Sequence, residues 1–266
     1  MWDLNEFESY LERKSYSFNT KKMYNLHIRD FLKICENRKL DPILIKGPVM
    51  FRLVDSIRRH RRNTSVNAYL AAVSAFYNYL LSYGYIDNLP ITKGHYLKAD
   101  HSDRKALSFE EQEIFKAYFL QKGEKQKHSF LVMLFGGLRV GELKTVKNLS
   151  LQNNLLRFDV IGKRNKKRTV FIDDYPEVES ILKFFERGNS LDLSIANLKN
   201  CMSYASKKLG IEMSCHTLRH TYATNKASIS MPISVLQTLM GHADISVTAQ
   251  YVHLQEESII NYFTNK

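Results

Sequence analysis

The stretch CHTLRHTYATN, residues 215–225, places His216, Arg219 and His220 within five positions of one another. In a helix these side chains share one face, because residues three and four apart are neighbours on a helical surface. Three interpretations are open: a metal site, an anion-binding clamp or a polar helix end. A zinc protease helix would read H-E-x-x-H, whereas Thr217 stands in the second position here. A guanidinium fork with neighbouring imidazole donors suits phosphate oxygens better than a metal ion.

Two further segments combine an arginine or a histidine with glycine. The segment LFGGLRVGEL, residues 134–143, supplies Arg139 beside glycines and Glu142 one helical turn later. The segment LMGHADISVTAQYVH, residues 239–253, supplies His242 directly after a glycine and Tyr251 nine residues further on. Each has a plain alternative explanation. Arg139 and Glu142 could form a surface ion pair worth ~0.3–0.5 kcal/mol, His242 could lie at a cap or turn, and Tyr251 is one of 15 tyrosines.

Basic residues form two clusters. The segment LLRFDVIGKRNKKRTVFID, residues 155–173, has two short β-rich runs around a basic tip, which predicts a β-hairpin. The tip is either a solvated turn or a surface for a polyanion, and the sequence contains no matching acidic run. Its cations are Lys163, Arg164, Lys166, Lys167 and Arg168. The second cluster, at the predicted junction of the third and fourth helices, consists of Arg58, Arg59, His60, Arg61 and Arg62.

The overall charge favours a nucleic-acid partner over a membrane. The net charge is +12 and the isoelectric point is near 9.5, which indicates a polyanionic ligand. The three cysteines include no C-x-x-C pair, so we expect a reducing compartment rather than a disulfide framework. No signal peptide is evident, and no apolar run approaches the ~18 residues that a bilayer span needs. We therefore expect a cytoplasmic protein.

Apolar periodicity divides the chain near residue 100. Residues 1–92 predict four helices, the second capped by Asn19 or Thr20 and the fourth beginning at Asn63 or Thr64. Residues 93–106 are polar and predict a linker. Residues 107–266 predict a second domain, mainly helical, that contains the hairpin and ends in a tail.

The order of the motifs resembles that of the tyrosine recombinase (phage integrase) family, in its small Xer-like form. The pattern is G-L-R-x-x-E, a lysine in a hairpin 24 residues after the arginine, H-x-L-R-H, and then G-H with a tyrosine nine residues on. The segment SFNTKKMYNLHIRDFL, residues 17–32, is also similar to the opening of the family's N-terminal domain. This resemblance implies a mainly α fold with a small β-hairpin or sheet. Its two domains would be a SAM-like four-helix core-binding domain, which contacts DNA, and an α-rich catalytic domain.

The resemblance also implies a reaction and the roles of its residues. The family cleaves one DNA strand with a tyrosine, here Tyr251, leaving a 3′-phosphotyrosyl bond and a free 5′-hydroxyl, without metal or cofactor. Arg139 and Arg219 would clamp the nonbridging phosphate oxygens, assisted by His216 and His242. Lys163 would protonate the leaving oxygen, with Lys166 as the alternative acid. Two further residues would not contact the phosphate but would orient the arginines and histidines that do: Glu142 and His220.

Binding and assembly complete the expectations. Basic side chains of the two clusters would contact double-stranded DNA, namely Arg58, Arg59, Arg61, Arg62, Arg164, Lys166, Lys167 and Arg168. A protein that is monomeric in solution would assemble as a tetramer on two DNA sites. Its terminal segment would either fold back onto its own domain or, as the resemblance favours, dock on a neighbouring protomer. Two alternatives remain open: a topoisomerase-like strand transferase, and a catalytically silent DNA-binding regulator on the same fold.

Overall fold

The computed structural model describes residues 4–98, 105–162, 165–173, 176–229, 231–241 and 246–249. The chain forms two compact units, Met1–Ser102 and Asp103–Lys266. Among the described helices, none combines the length and the hydropathy that a bilayer span needs. The predicted fold class, mainly helical with a small sheet, is confirmed.

The described part of the first unit contains four α-helices: α1 (Leu4–Arg13), α2 (Phe18–Asn37), α3 (Gly47–Arg58) and α4 (Asn63–Ser82). Helix α4 forms the centre of the core, because ten of its residues, which recur at helical spacing, are buried there. Helix α2 begins earlier than either predicted cap, since the Ser17 hydroxyl accepts a hydrogen bond from the Thr20 amide at 3.2 Å.

Residues 93–98, at the start of the predicted linker, are held on α3 and α4. The buried His95 accepts a hydrogen bond from the Thr92 amide at 3.1 Å and stacks on Phe51. The Asn67 side chain donates to the Leu97 carbonyl at 2.7 Å and accepts from the Leu97 amide at 2.9 Å. This paired contact fixes the backbone of Leu97 to the first unit.

The second unit surrounds an antiparallel sheet with helices. The sheet has the order β1 (Lys147–Gln152), β2 (Leu155–Ile161), β3 (Lys167–Ile172). Strands β2 and β3 form the predicted hairpin, whereas β1 was not anticipated. Five of its six residues are exposed, so the alternation of leucines with polar residues along it does not correspond to a buried face. The helices are α5 (Phe109–Leu120), α6 (Glu124–Gly136), α7 (Glu177–Glu186), α8 (Ile195–Leu209), α9 (Cys215–Ser228), α10 (Ile233–Met240) and α11 (Ser246–Ala249).

Helix α6 is the central helix of this unit. Its last three turns are almost entirely buried against α7, α9 and the sheet. Leu156, Phe158 and Val160 alternate along β2 and place their side chains in the same core. A smaller cluster between α9 and α10 consists of Tyr222, Ala223, Leu236 and Met240. These contacts fix the ends of α6, α9 and α10, where the candidate site residues lie.

Candidate active site

A sharp backbone turn follows α6 and presents the first site residues. Gly137 caps the helix with φ of 61°, in the left-handed region that favours glycine. The Cα of Gly137 lies against the ring of Tyr222 on α9. A Cβ at this position would lie 2.8 Å from Tyr222 Cε1 and closer still to Cδ1. Glycine is therefore needed here both for its backbone conformation and for the close approach of α9.

Glu142 lies at the centre of the site. Its side chain is only 3% exposed, and its Oε1 accepts a hydrogen bond from Arg139 Nη1 at 2.9 Å. The Arg139 backbone amide donates to Oε2, also at 2.9 Å. The three-residue spacing thus folds into a closed loop in which the carboxylate holds both the backbone and the guanidinium of the same arginine.

Two more arginines from distant elements converge on this carboxylate. Arg168 on β3 donates from Nη2 to Glu142 Oε2 at 2.7 Å, and Arg219 Nη1 on α9 lies 3.9 Å from the same oxygen. Burial raises the pKa of Glu142, but Arg168, the Arg139 amide and Arg219 outweigh it and lower the pKa below its ordinary value. Glu142 is therefore an anion at neutral pH, and the cluster of three guanidiniums and one carboxylate has a formal charge of +2.

The arginines also bind backbone carbonyls at helix ends. Arg219 Nη1 donates to the Gly137 carbonyl at 2.6 Å, and its Nη2 donates to the Met240 carbonyl. Arg168 Nη1 donates to the neighbouring Leu239 carbonyl. The last carbonyls of a helix have no partner within the helix, and cations near them are favourable. Arg168 and Arg219 therefore fix the C-terminal end of α10.

Helix α9 presents the histidines of the opening motif. Ser214 caps it by accepting a hydrogen bond from the Thr217 amide at 3.2 Å, and the Thr217 hydroxyl accepts from the Ser214 amide. His216 is exposed in the first turn, His220 is half-buried and Arg219 is buried. The helix thus places an exposed imidazole one turn before a buried guanidinium.

The structure therefore brings part of the predicted site together. Arg139, Glu142 and Arg219 are in contact, and His216 and His220 lie on the same helix as Arg219. Four predicted residues lie outside the described residues: Lys163, Arg164, His242 and Tyr251. Gly162 and Gly241, which directly precede Lys163 and His242, both lie beside the arginine cluster, since a Cβ on either would be 4.0 Å from Arg139 Nη1.

Arg168 was predicted as a DNA contact, and the structure places its guanidinium inside the protein, as it does that of Arg219. Its side chain is only 9% exposed and its guanidinium is bound to Glu142 and to the Leu239 carbonyl. The number of cations in the hairpin tip does not distinguish a buried Arg168 from exposed neighbours. The strand register does so, because Lys167 is exposed whereas Arg168 pairs with Val160 and turns inward.

The basic cluster between α3 and α4, residues 58–62, is exposed throughout. Arg58 ends α3 and Asn63 begins α4, so the cluster forms the turn that was predicted to contain it. Arg61 is partly engaged, with Nη2 3.1 Å from Asp30 Oδ2 and its guanidinium 5.4 Å above the ring of Tyr69. In the hairpin tip, Lys166 and Lys167 are likewise exposed.

Comparison with protein families identifies the class of protein that this fold and arginine cluster define. The phage integrase family profile matches residues 106–258, and the profile of the phage integrase N-terminal SAM-like domain matches residues 4–84. The chain belongs to the phage integrase family. The identification of a tyrosine-type site-specific recombinase from its motifs is confirmed.

Individual relatives agree with this membership over nearly the whole chain. The tyrosine recombinase XerA of Saccharolobus solfataricus is 27% identical over 264 residues, which cover 92% of this chain and 85% of the relative. The tyrosine recombinase XerC of Leptospira interrogans is 27% identical over 281 residues, covering 96% and 89%.

Solved structures share the fold. The XerH site-specific recombinase bound to its difH substrate superimposes with a TM-score of 0.76 at 18% identity, covering 97% of this chain and 84% of that one. The Tn1549 transposon integrase in complex with circular intermediate DNA gives a TM-score of 0.70 at 19% identity, covering 97% and 98%.

Proposed function

We propose that the protein breaks and rejoins double-stranded DNA through Tyr251. The phenolic oxygen attacks a backbone phosphorus, the bond from phosphorus to the 5′-oxygen breaks, and a 3′-phosphotyrosyl ester and a 5′-hydroxyl remain. Attack by the 5′-hydroxyl of a second site then releases the tyrosine and completes strand exchange. The ester retains the energy of the broken bond, so the proposed reaction needs no nucleotide cofactor.

The arginine cluster is the observation that carries this proposal. A phosphodiester with one negative charge gains a second as it becomes a pentacovalent phosphorane, and fixed donors stabilise that gain best where water is excluded. Arg139 and Arg219 bring guanidiniums to a buried carboxylate, with a formal charge of +2 for the cluster including Arg168. Arg139 keeps one-third of its side chain exposed, which leaves room for a phosphate to reach it.

We assign proton transfer to two histidines and a lysine. We assign His216, exposed at the start of α9, to assist deprotonation of Tyr251, and His242 to donate a further hydrogen bond to the phosphate. Lys163 protonates the leaving 5′-oxygen, with Lys166 as the alternative.

Residues behind the phosphate-binding side chains hold them in place. Glu142 orients Arg139 through two hydrogen bonds and lies within 3.9 Å of Arg219. We assign a similar positioning role to His220, which is half-buried and follows Arg219 directly on α9.

We assign the exposed basic clusters to the DNA backbone. The turn between α3 and α4 would contribute Arg58, Arg59, Arg61 and Arg62, and the hairpin tip Arg164, Lys166 and Lys167. Such contacts release counterions, so affinity should fall steeply with salt. Four protomers would assemble on two sites, linked by the terminal segments. The free thiols of Cys35, Cys201 and Cys215 fit a reducing compartment such as the cytoplasm.

A cleavage assay tests the proposal. A target duplex is first selected from a random-sequence library by repeated binding to the wild-type protein, then nicked at staggered positions to trap the intermediate. Arg139→Ala and Arg219→Ala should reduce adduct formation far more than DNA affinity, because the arginines act mainly on the charge that develops in the transition state. Equal losses in affinity and rate would contradict this role. The adduct should also form in EDTA.

Product analysis separates the proposal from its two alternatives. Two target sites on one plasmid should yield recombinant circles with the wild-type protein. Relaxed plasmid without exchanged partners would instead indicate a topoisomerase-like enzyme. Binding with no adduct and no product would indicate a silent regulator.

A further inference from the structure

We propose that Arg168 is a positioning residue, which fixes the arginine cluster and the end of α10 for catalysis and does not contact DNA. This inference rests on the proposed active site. It assigns to Arg168 a function different from that of the exposed lysines beside it in the hairpin.

The first part of the argument is the contact with Glu142. The two guanidiniums bind different carboxylate oxygens, with Arg139 Nη1 on Oε1 and Arg168 Nη2 on Oε2 at 2.7 Å. Without Arg168, the buried carboxylate would lose its shortest hydrogen bond and its largest favourable charge contact. The carboxylate would then keep its two hydrogen bonds to Arg139 but lose its link to β3, so the Arg139–Glu142 pair would be free to shift relative to β3 and α10.

The second part is the contact with α10. Arg168 Nη1 binds the Leu239 carbonyl while Arg219 binds the next carbonyl, that of Met240. Gly241 follows with φ of 60°, and a Cβ there would lie 2.7 Å from Arg168 Cδ. The stem of Arg168 therefore packs against the residue that directly precedes His242, so Arg168 determines where the chain leaves α10.

A single guanidinium makes both connections because its Nη atoms diverge in a planar fork. Nη2 binds the carboxylate from the α6–β1 segment, and Nη1 binds the carbonyl at the end of α10. A lysine has one nitrogen on a flexible stem and reaches one of these two acceptors at a time. Arg168→Lys should therefore keep a charge near Glu142 and lose the link to α10.

The experiment compares Arg168→Ala, Arg168→Lys and Lys167→Ala in the full-length protein on the selected duplex. Arg168→Ala should bind DNA with unchanged affinity and an unchanged dependence of affinity on salt, yet form the phosphotyrosyl adduct about 10²-fold more slowly, as expected when catalytic groups shift by about 1 Å. The rate of adduct formation by Arg168→Lys should lie between that of the wild-type protein and that of Arg168→Ala. Lys167→Ala, an exposed neighbour, should instead weaken binding and reduce the salt slope by about 1.

Two further measurements distinguish positioning from general stability. The Ala variant leaves a space the size of the missing group, so methylguanidinium at concentrations below those that unfold the protein should restore adduct formation in Arg168→Ala and not in Lys167→Ala. In addition, Glu142→Gln combined with Arg168→Ala should be little slower than Glu142→Gln alone, because contacting residues are not additive. Circular dichroism establishes that each variant is folded, and Arg168→Lys carries the test if Arg168→Ala is not.

Three results would overturn the inference: a salt slope reduced by about 1 in Arg168→Ala, wild-type cleavage by that variant, or full additivity with Glu142→Gln. An absence of adduct with the wild-type protein would instead overturn the proposed function, so the two failures are distinguishable.

Discussion

The close contact between Gly137 and Tyr222 provides a quantitative test of how α6 and α9 hold the site. Gly137→Ala should destabilise the second unit for two separate reasons. Its backbone has φ of 61°, and its new methyl group would overlap the Tyr222 ring. Gly210→Ala is a matched control, because Gly210 also ends a helix with φ of 68°, but nothing lies within 4 Å of a Cβ there.

The two substitutions separate the backbone cost from the packing cost. A left-handed conformation costs a non-glycine residue roughly 1–2 kcal/mol, and this cost is common to both variants. Overpacking a filled site costs typically about 1–3 kcal/mol more, and only Gly137→Ala incurs it. The free energy of unfolding should thus fall by about 2–5 kcal/mol in Gly137→Ala and by about 1–2 kcal/mol in Gly210→Ala.

The assay is urea unfolding followed by circular dichroism, with hydrogen exchange to assign the transition to peptides of α6 and α9. Because Arg219 donates to the Gly137 carbonyl at 2.6 Å, Gly137→Ala should also slow adduct formation, whereas Gly210→Ala should not. Equal destabilisation by the two variants would refute the claim that Tyr222 packs tightly on Gly137. Destabilisation of Gly137→Ala without loss of cleavage would refute the link from this contact to Arg219.

Three further predictions concern pH, salt and the general acid. Burial lowers the pKa of His128 in the folded state, so as the pH falls the unfolded state is protonated before the folded state. The free energy of unfolding should therefore fall as pH drops below about 6.5, and His128→Asn should reduce this dependence in urea titrations. Removing Arg58, Arg59 and Arg62 together should lower the slope of log affinity against log salt by up to about 3; an unchanged slope would exclude the cluster from the interface. A bridging 5′-sulfur at the scissile phosphate should rescue cleavage by Lys163→Ala, because a thiolate leaves without protonation, and rescue of Lys166→Ala instead would reassign the acid.

Helical periodicity predicts much of the first unit because its signals are local. The buried residues of α4 recur at helical spacing, and the turn before it is marked by an exposed run of arginines. Strand β1 could not be predicted in the same way. Its residues are mostly exposed, and it is defined by pairing with β2 across a turn at Asn153 and Asn154.

The candidate site shows a similar division. The spacing of Arg139 and Glu142 is local, so their pairing follows from the sequence. The inward turn of Arg168 depends on its register in β3 and on the end of α10, some 71 residues away in the chain. A count of cations in a loop contains no information about such a contact, so Arg168 was grouped with the exposed lysines.

The central claim is that Tyr251 forms the covalent bond to DNA. The most direct measurement is mass spectrometry of the adduct trapped on the nicked, selected duplex, after digestion with trypsin and nuclease. The terminal tryptic peptide, residues 227–266, contains Tyr251 and Tyr262, so fragmentation must locate the nucleotide on one of them. Tyr251→Phe should bind the duplex and form no adduct, while Tyr204→Phe, which alters an exposed tyrosine of the same unit, should form it normally. An adduct at the wild-type level in Tyr251→Phe, or a nucleotide located on another residue, would contradict the account.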